Sequence, residues 1–365
     1  MTHSRGTRSI ANARTAAEGT TGLAHPRFCP VVAIAVVVVT AACGSPTQSA
    51  GREAFRPASA MTTLLPHVVP PYETGAGIDP TLADHYAWLD TSVLTNHQLF
   101  VFMPGTGGLP AHQQLLQQEA AHLGYHVIGL MYEDGFNFND LCAGNADLNR
   151  CFENASFDVV YGCAVQPCPG SVVNVSVTNS VVNLLTKLLE YLGKHYPDEG
   201  WADFLADGKP NWSRVAVAGA SQGGANAAMI AKHSLVARVA LFSAIADALP
   251  LGAVPCQGIG DWLPRHVTSS ARYFGLAHDR DSYFPYICAS WNSLGMDAFG
   301  AIVVPETSSP PYGGTHELVT DLRPQGGYKY THGSTSNDLR TPLDKNGNPL
   351  LAPVWDYMLT AAVTP

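Results

Sequence analysis

The chain has 365 residues, of which 46% are hydrophobic and 13% charged, with 34 Gly, 26 Pro and 8 Cys. That is apolar enough to bury the core of one large domain or two small ones, and too weakly charged for a disordered chain. The net charge of −9 repels a phosphate backbone, so nucleic-acid binding is not expected as the main role.

Residues 1–42 read as an export signal. Arg5, Arg8, Arg14 and Arg27 precede the apolar run Val31–Val39, which gives way to Thr40-Ala41-Ala42. The run is shorter than the roughly 20 residues a membrane-spanning helix needs. Its exit resembles the bacterial lipoprotein box, in which a Cys after small residues is lipidated. Cys43 would be that residue, with Thr40 standing where Leu or Val is usual. Lipid anchoring to a membrane and plain secretion both stay open. Residues 43–60, rich in Ser, Ala, Gly and Pro, read as a tether, and 61–365 as the folded domain.

From about residue 97 the pattern alternates strand and helix. Short apolar runs predict strands over 97–103, 126–131, 213–219, 237–243, 271–277 and 301–304, with an extra strand beginning at His316. Helix-forming stretches predict helices over 112–123, 222–235, 284–294 and 352–362. Val181, Leu184, Leu185, Leu188 and Leu192 fall on one face of a further helix. Continuous apolar strands separated by helices indicate a doubly wound, mostly parallel α/β sheet covered on both faces. Ligands of such sheets bind beyond the carboxyl ends of the strands, so chemistry is sought in the loops there.

The longest such loop, 132–175, is rich in Gly, Asn and Asp, carries Phe136, Phe138, Phe152, Phe157 and Tyr161, and holds four cysteines. It reads as a disulfide-stapled insertion acting as a lid or substrate wall. Beyond Cys29 and Cys43 there are six cysteines, an even number suited to an oxidising compartment. Proximity in the chain favours Cys142–Cys151, Cys163–Cys168 and Cys256–Cys288. The paired C-x2-C spacing of a zinc site is missing, so no metal is expected.

Gly219-Ala220-Ser221-Gln222-Gly223-Gly224 follows a predicted buried strand and precedes an Ala-rich helix. A nucleophile elbow needs this setting, because its serine occupies a strained turn that admits only small neighbours. The elbow also requires an oxyanion hole. One donor is the backbone N–H of Gln222, and the other comes from Pro104-Gly105-Thr106-Gly107-Gly108, with Thr106 favoured. The Lys-Ser/Thr of a phosphate-binding loop is absent from these Gly-rich turns.

At this point the sequence resembles the α/β-hydrolase superfamily, in particular its secreted bacterial esterase- and lipase-like members, over roughly 95–362. The resemblance implies the chain order Ser, acid, His. It places the acid four residues before a proline, which selects Asp281, ahead of Pro285, over Asp279. His332 opens a small-residue loop leading to the closing helix and is the expected base, with His316 as the alternative. The expected activity is cofactor-free cleavage of carboxylic esters, small or polymeric, through an acyl-enzyme, with no obligate protein partner. An acyltransferase, a polyester depolymerase using the same triad, and a non-catalytic surface binding protein on the same scaffold remain as alternatives.

Overall fold

The computed structural model describes residues 64–247, 249–250 and 256–363, so the signal, the tether and Cys43 lie outside the described residues. One sheet organises them. Its strands are β1 (His67–Val69), β2 (His85–Trp88), β3 (Leu99–Met103), β4 (His126–Gly129), β5 (Val215–Ala220), β6 (Arg238–Phe242), β7 (Tyr273–His278) and β8 (Glu317–Thr320). Their order across the sheet is β1-β2-β4-β3-β5-β6-β7-β8. The β1–β2 and β2–β4 pairs are antiparallel, and every other neighbouring pair is parallel.

Strand β3 shows why its sequence is apolar without a break. Leu99, Val101 and Met103 enter one core and Phe100 and Phe102 enter the other, and all five are fully buried. Side chains alternate between the faces of a strand, so a sheet covered on both sides needs apolar residues at both parities. The first core takes α3 (Leu148–Tyr161), α4 (Val181–His195) and α5 (Gln222–His233). The second takes α1 (Gln114–His122) and α7 (Ala352–Thr360). Ser180 starts α4 by accepting the Asn183 N–H at 3.3 Å. The helix then buries Leu184, Leu185, Leu188, Leu189 and Leu192, each worth roughly 1.5–3 kcal/mol of apolar transfer.

Two further helices are α2 (Phe138–Cys142) and α6 (Phe284–Ser293). Disulfides join Cys142–Cys151, Cys163–Cys168 and Cys256–Cys288, the pairing that proximity favours, and indicate an oxidising environment.

Three expectations change. Residues 301–304 form only an isolated bridge, Val303 to Leu318, because Pro305 ends the run at the sheet edge. The stretch after His316 is instead the last parallel strand, β8. Segment 132–175 is not one continuous loop but holds two helices, α2 and α3. Of its aromatic residues, Phe152 is core, while Phe157 and Tyr161 pack on each other and on His233.

Candidate active site

Ser221 sits between the end of β5 and the start of α5 with φ 50° and ψ −121°, a left-handed conformation that costs a non-glycine residue on the order of 1–3 kcal/mol. The glycines around it are required by close approach. A Cβ on Gly219 would lie 2.2 Å from the Gly223 carbonyl carbon, and one on Gly223 would lie 2.1 Å from the Met103 carbonyl oxygen. A serine at a helix start ordinarily caps the first turn with its hydroxyl. Here Ser221 makes no such bond, and its side chain borders a cavity instead. The parallel strands, the strand order and this strand–turn–helix are those of the α/β-hydrolase fold.

The cavity is about 340 Å³ and brings Ser221 together with His332, Thr106 and Gln222. His332 Nδ1 lies 2.7 Å from Asp281 Oδ2, and the Asp281 side chain is fully buried while that of His332 is 35% exposed. The second Asp281 oxygen accepts the Tyr283 N–H at 3.0 Å, so the carboxylate is fixed at both ends. Asp279, the rejected candidate, lies beside His278 and Arg280. Ser221 and His332 line the same cavity, with no direct hydrogen bond between them.

His278 shapes the turn that presents Asp281. Its Nε2 donates to the Leu322 carbonyl at 3.0 Å, leaving Nδ1 to accept the Arg280 N–H at 3.0 Å. The long stretch from His332 to α7 is held by Asp338, whose carboxylate accepts the N–H groups of Gln114 and Leu115 at 2.9 and 3.1 Å. That caps α1 from more than two hundred residues away and moors the His332 loop to the sheet layer.

The turn after β3 is braced from several sides. The Tyr132 hydroxyl donates to the Pro104 carbonyl at 2.7 Å, and Gly107 N–H donates to the Asp134 carbonyl at 3.1 Å. The Thr106 hydroxyl donates to Gln222 Oε1 at 2.7 Å, tying the two candidate oxyanion residues together. Gln222 N–H is among the first-turn donors that α5 leaves without an intrahelical partner. That helix start also favours negative charge nearby. Burial pushes the neighbouring Asp134 carboxyl up to about 7.

His316 is not at this site. It lies between the rings of Phe274 and Phe299, with centroids 4.2 and 4.0 Å away, and burial pushes its imidazole down to about 4. The register puts Ala220 level with Phe242, Phe242 with Leu276 and Leu276 with Leu318. His316 is therefore three strands across and about three residues below Ser221, roughly 17 Å away at ordinary strand spacings. As the alternative base it is ruled out by position.

Sequence reasoning missed the wall residues Gln113, Asp247 and Asn337. They come from three separate connections and belong to no motif, so no local signal marks them.

No family model matches the chain, and no curated protein does. Among solved structures it is similar to an esterase of Thermogutta terrifontis at 14% identity and TM-score 0.32, covering 72% of this chain and 82% of that one. It is similar to an acetyl xylan esterase of Aspergillus awamori at 12% and 0.32, covering 61% and 78%. A dienelactone hydrolase of Klebsiella pneumoniae aligns at 10% and 0.33, covering 71% and 85%. The class stated above rests on the sheet and the elbow, not on these distant likenesses.

Proposed function

We propose that the protein is an exported serine hydrolase that cleaves carboxylic esters. Ser221 Oγ attacks the acyl carbon while His332 Nε2 takes its proton, the two closing to hydrogen-bonding distance once substrate is bound. Asp281 holds the imidazole tautomer through Nδ1 and steadies the imidazolium. The Thr106 and Gln222 N–H groups receive the developing oxyanion, each such donor being worth about 3–4 kcal/mol. His332 then protonates the leaving alcohol, and water attacks the acyl-enzyme by the same route.

The observation that carries this reading is the buried Asp281 carboxylate 2.7 Å from Nδ1 of a His332 that shares its cavity with an uncapped elbow serine. The test is labelling by a fluorophosphonate probe. Wild type should label and Ser221→Ala should not; equal labelling of both refutes the mechanism, and a wild type that neither labels nor cleaves chromogenic esters favours the binding-protein alternative. Export is supported by the three disulfides together with the signal pattern of residues 1–42. Incorporation of radiolabelled palmitate, lost in Cys43→Ser, separates a lipid-anchored protein from a freely secreted one.

A further inference from the structure

A lone aromatic side chain on a protein surface needs no function, but one that borders a reactive cavity is placed to meet a ligand. Among the described residues of the Ser221 cavity wall, two carry a phenyl or phenol ring, Phe138 and Tyr283. Phe138 belongs to the core, whereas Tyr283 is 36% exposed. The Tyr283 ring centroid lies 5.0 Å from that of His332, with the planes tilted by 52°. Backbone bonds hold the residue at both ends. Its N–H donates to Asp281 Oδ1 at 3.0 Å, and its carbonyl accepts the Tyr286 and Ile287 N–H groups at 2.9 and 3.0 Å. The ring is thus mounted on the same turn as Asp281 and beside the imidazole, by groups that do not depend on its own side chain.

We infer that Tyr283 sets specificity by stacking on the alcohol part of the substrate, and that this alcohol carries an aromatic ring, as phenols and arylmethanols do. This rests on the hydrolase reading above. His332 Nδ1 is engaged by Asp281, which leaves Nε2 to hand its proton to the alcohol oxygen as the bond from that oxygen to the acyl carbon breaks. A ring beside that imidazole, in the same cavity, therefore flanks the departing alcohol. The acyl carbonyl is taken up elsewhere, by the Thr106 and Gln222 N–H groups. Aromatic pairs gain more than the area they bury, because the electron-rich face of one ring meets the electropositive edge of the other. A saturated ring of the same size offers similar bulk without that gain. Tyrosine has few rotatable bonds to fix, and its backbone is clamped before substrate arrives, so little is lost on ordering the platform.

The experiment compares kcat/KM for benzyl acetate and cyclohexylmethyl acetate, which share the acyl group and a six-membered ring and differ in aromaticity. Each value is divided by the ester's rate of alkaline hydrolysis to remove intrinsic reactivity. The expected ratio is about fivefold in favour of the benzyl ester. It should fall to about one in Tyr283→Ala and persist in Tyr283→Phe, which keeps the ring; Tyr283→Leu serves if the alanine variant does not fold. Tyr286, 38% exposed on the same helix but outside the cavity wall, is the control, and Tyr286→Ala should keep the ratio. A wild-type ratio near one, or a ratio unchanged in Tyr283→Ala, overturns the inference. So does an equal loss on both esters, which would assign the ring to steadying the His332 imidazolium instead. Fluorophosphonate labelling of Ser221 in the wild type keeps the two readings apart. A labelled enzyme without the preference loses only the substrate class, whereas an unlabelled protein that cleaves neither ester loses the hydrolase reading and this inference with it.

Discussion

Gly223→Ala places a methyl where the elbow has no room. The new Cβ would stand 2.1 Å from the Met103 carbonyl oxygen and 2.5 Å from that of Pro104, while ordinary contacts begin beyond 3 Å. Relief requires α5 to move by about 1 Å away from the end of β3, since both obstacles are backbone rather than flexible side chain. Overpacking of this kind typically costs about 1–3 kcal/mol, or on the order of 5 °C in melting temperature for a domain this large. The shift also separates the Thr106 turn from the Gln222 N–H. A displacement of about 1 Å in a catalytic constellation can remove roughly 100-fold in rate. The assay is kcat/KM on p-nitrophenyl acetate alongside thermal unfolding. Gly135→Ala serves as control, because its Cβ would meet nothing within 4 Å. A Gly223→Ala enzyme as active and as stable as that control would refute the account of the elbow.

Asp281→Asn should lower kcat by about 10⁴-fold through loss of the correct His332 tautomer, and His332→Ala should be comparably damaging. His316→Ala, by contrast, should lower the melting temperature and leave kcat near wild type. Glu317 is pushed by burial from 4.5 up to about 7, so the stability it contributes is full below pH 4.5 and is lost as pH rises toward 7. Glu317→Gln, which mimics the protonated form, should match wild type near pH 4 and exceed it by about 3 kcal/mol at pH 8 in urea unfolding. His316 and the other buried carboxyls titrate in both proteins, so the difference isolates Glu317; an equal gap at both pH values would contradict the assignment. Replacing Cys142 and Cys151 together by Ser opens a loop of sequence separation 9 and should cost about 2–3 kcal/mol. Limited proteolysis should then cut first near α2, and cleavage elsewhere would contradict this.

Those parts of the fold with a local cause could be read from the sequence. Strands β3 and β5 announce themselves because both faces are covered, and α4 because its leucines recur at helical spacing. Each of the three disulfides joins cysteines that are neighbours in chain order. The elbow is visible because steric demands on Gly219 and Gly223 write themselves into five consecutive residues. Other parts depend on partners remote in sequence. Strands β1 and β2 have three and four residues and exist only by antiparallel pairing at the sheet edge. The aromatic residues of 132–175 pack into the core or on each other because α2 and α3 turn them there, and of them only Phe138 reaches the cavity wall. Two histidines of similar local sequence differ in fate because one follows the sheet's last strand and the other precedes it. Asp338, which anchors the loop between His332 and α7, is invisible without the helix it caps.

The bridge between the Thr106 hydroxyl and the Gln222 carboxamide is made by the protein's own side chains. A cleft wired together in advance has no assembly step to wait for. A boronic acid, whose tetrahedral adduct would set its oxygen between those two amides, should therefore associate in a single exponential phase whose rate climbs linearly with inhibitor concentration. Cutting the strap with Thr106→Val should bring in a slow second phase that levels off, as the turn finds its place only after the inhibitor has arrived.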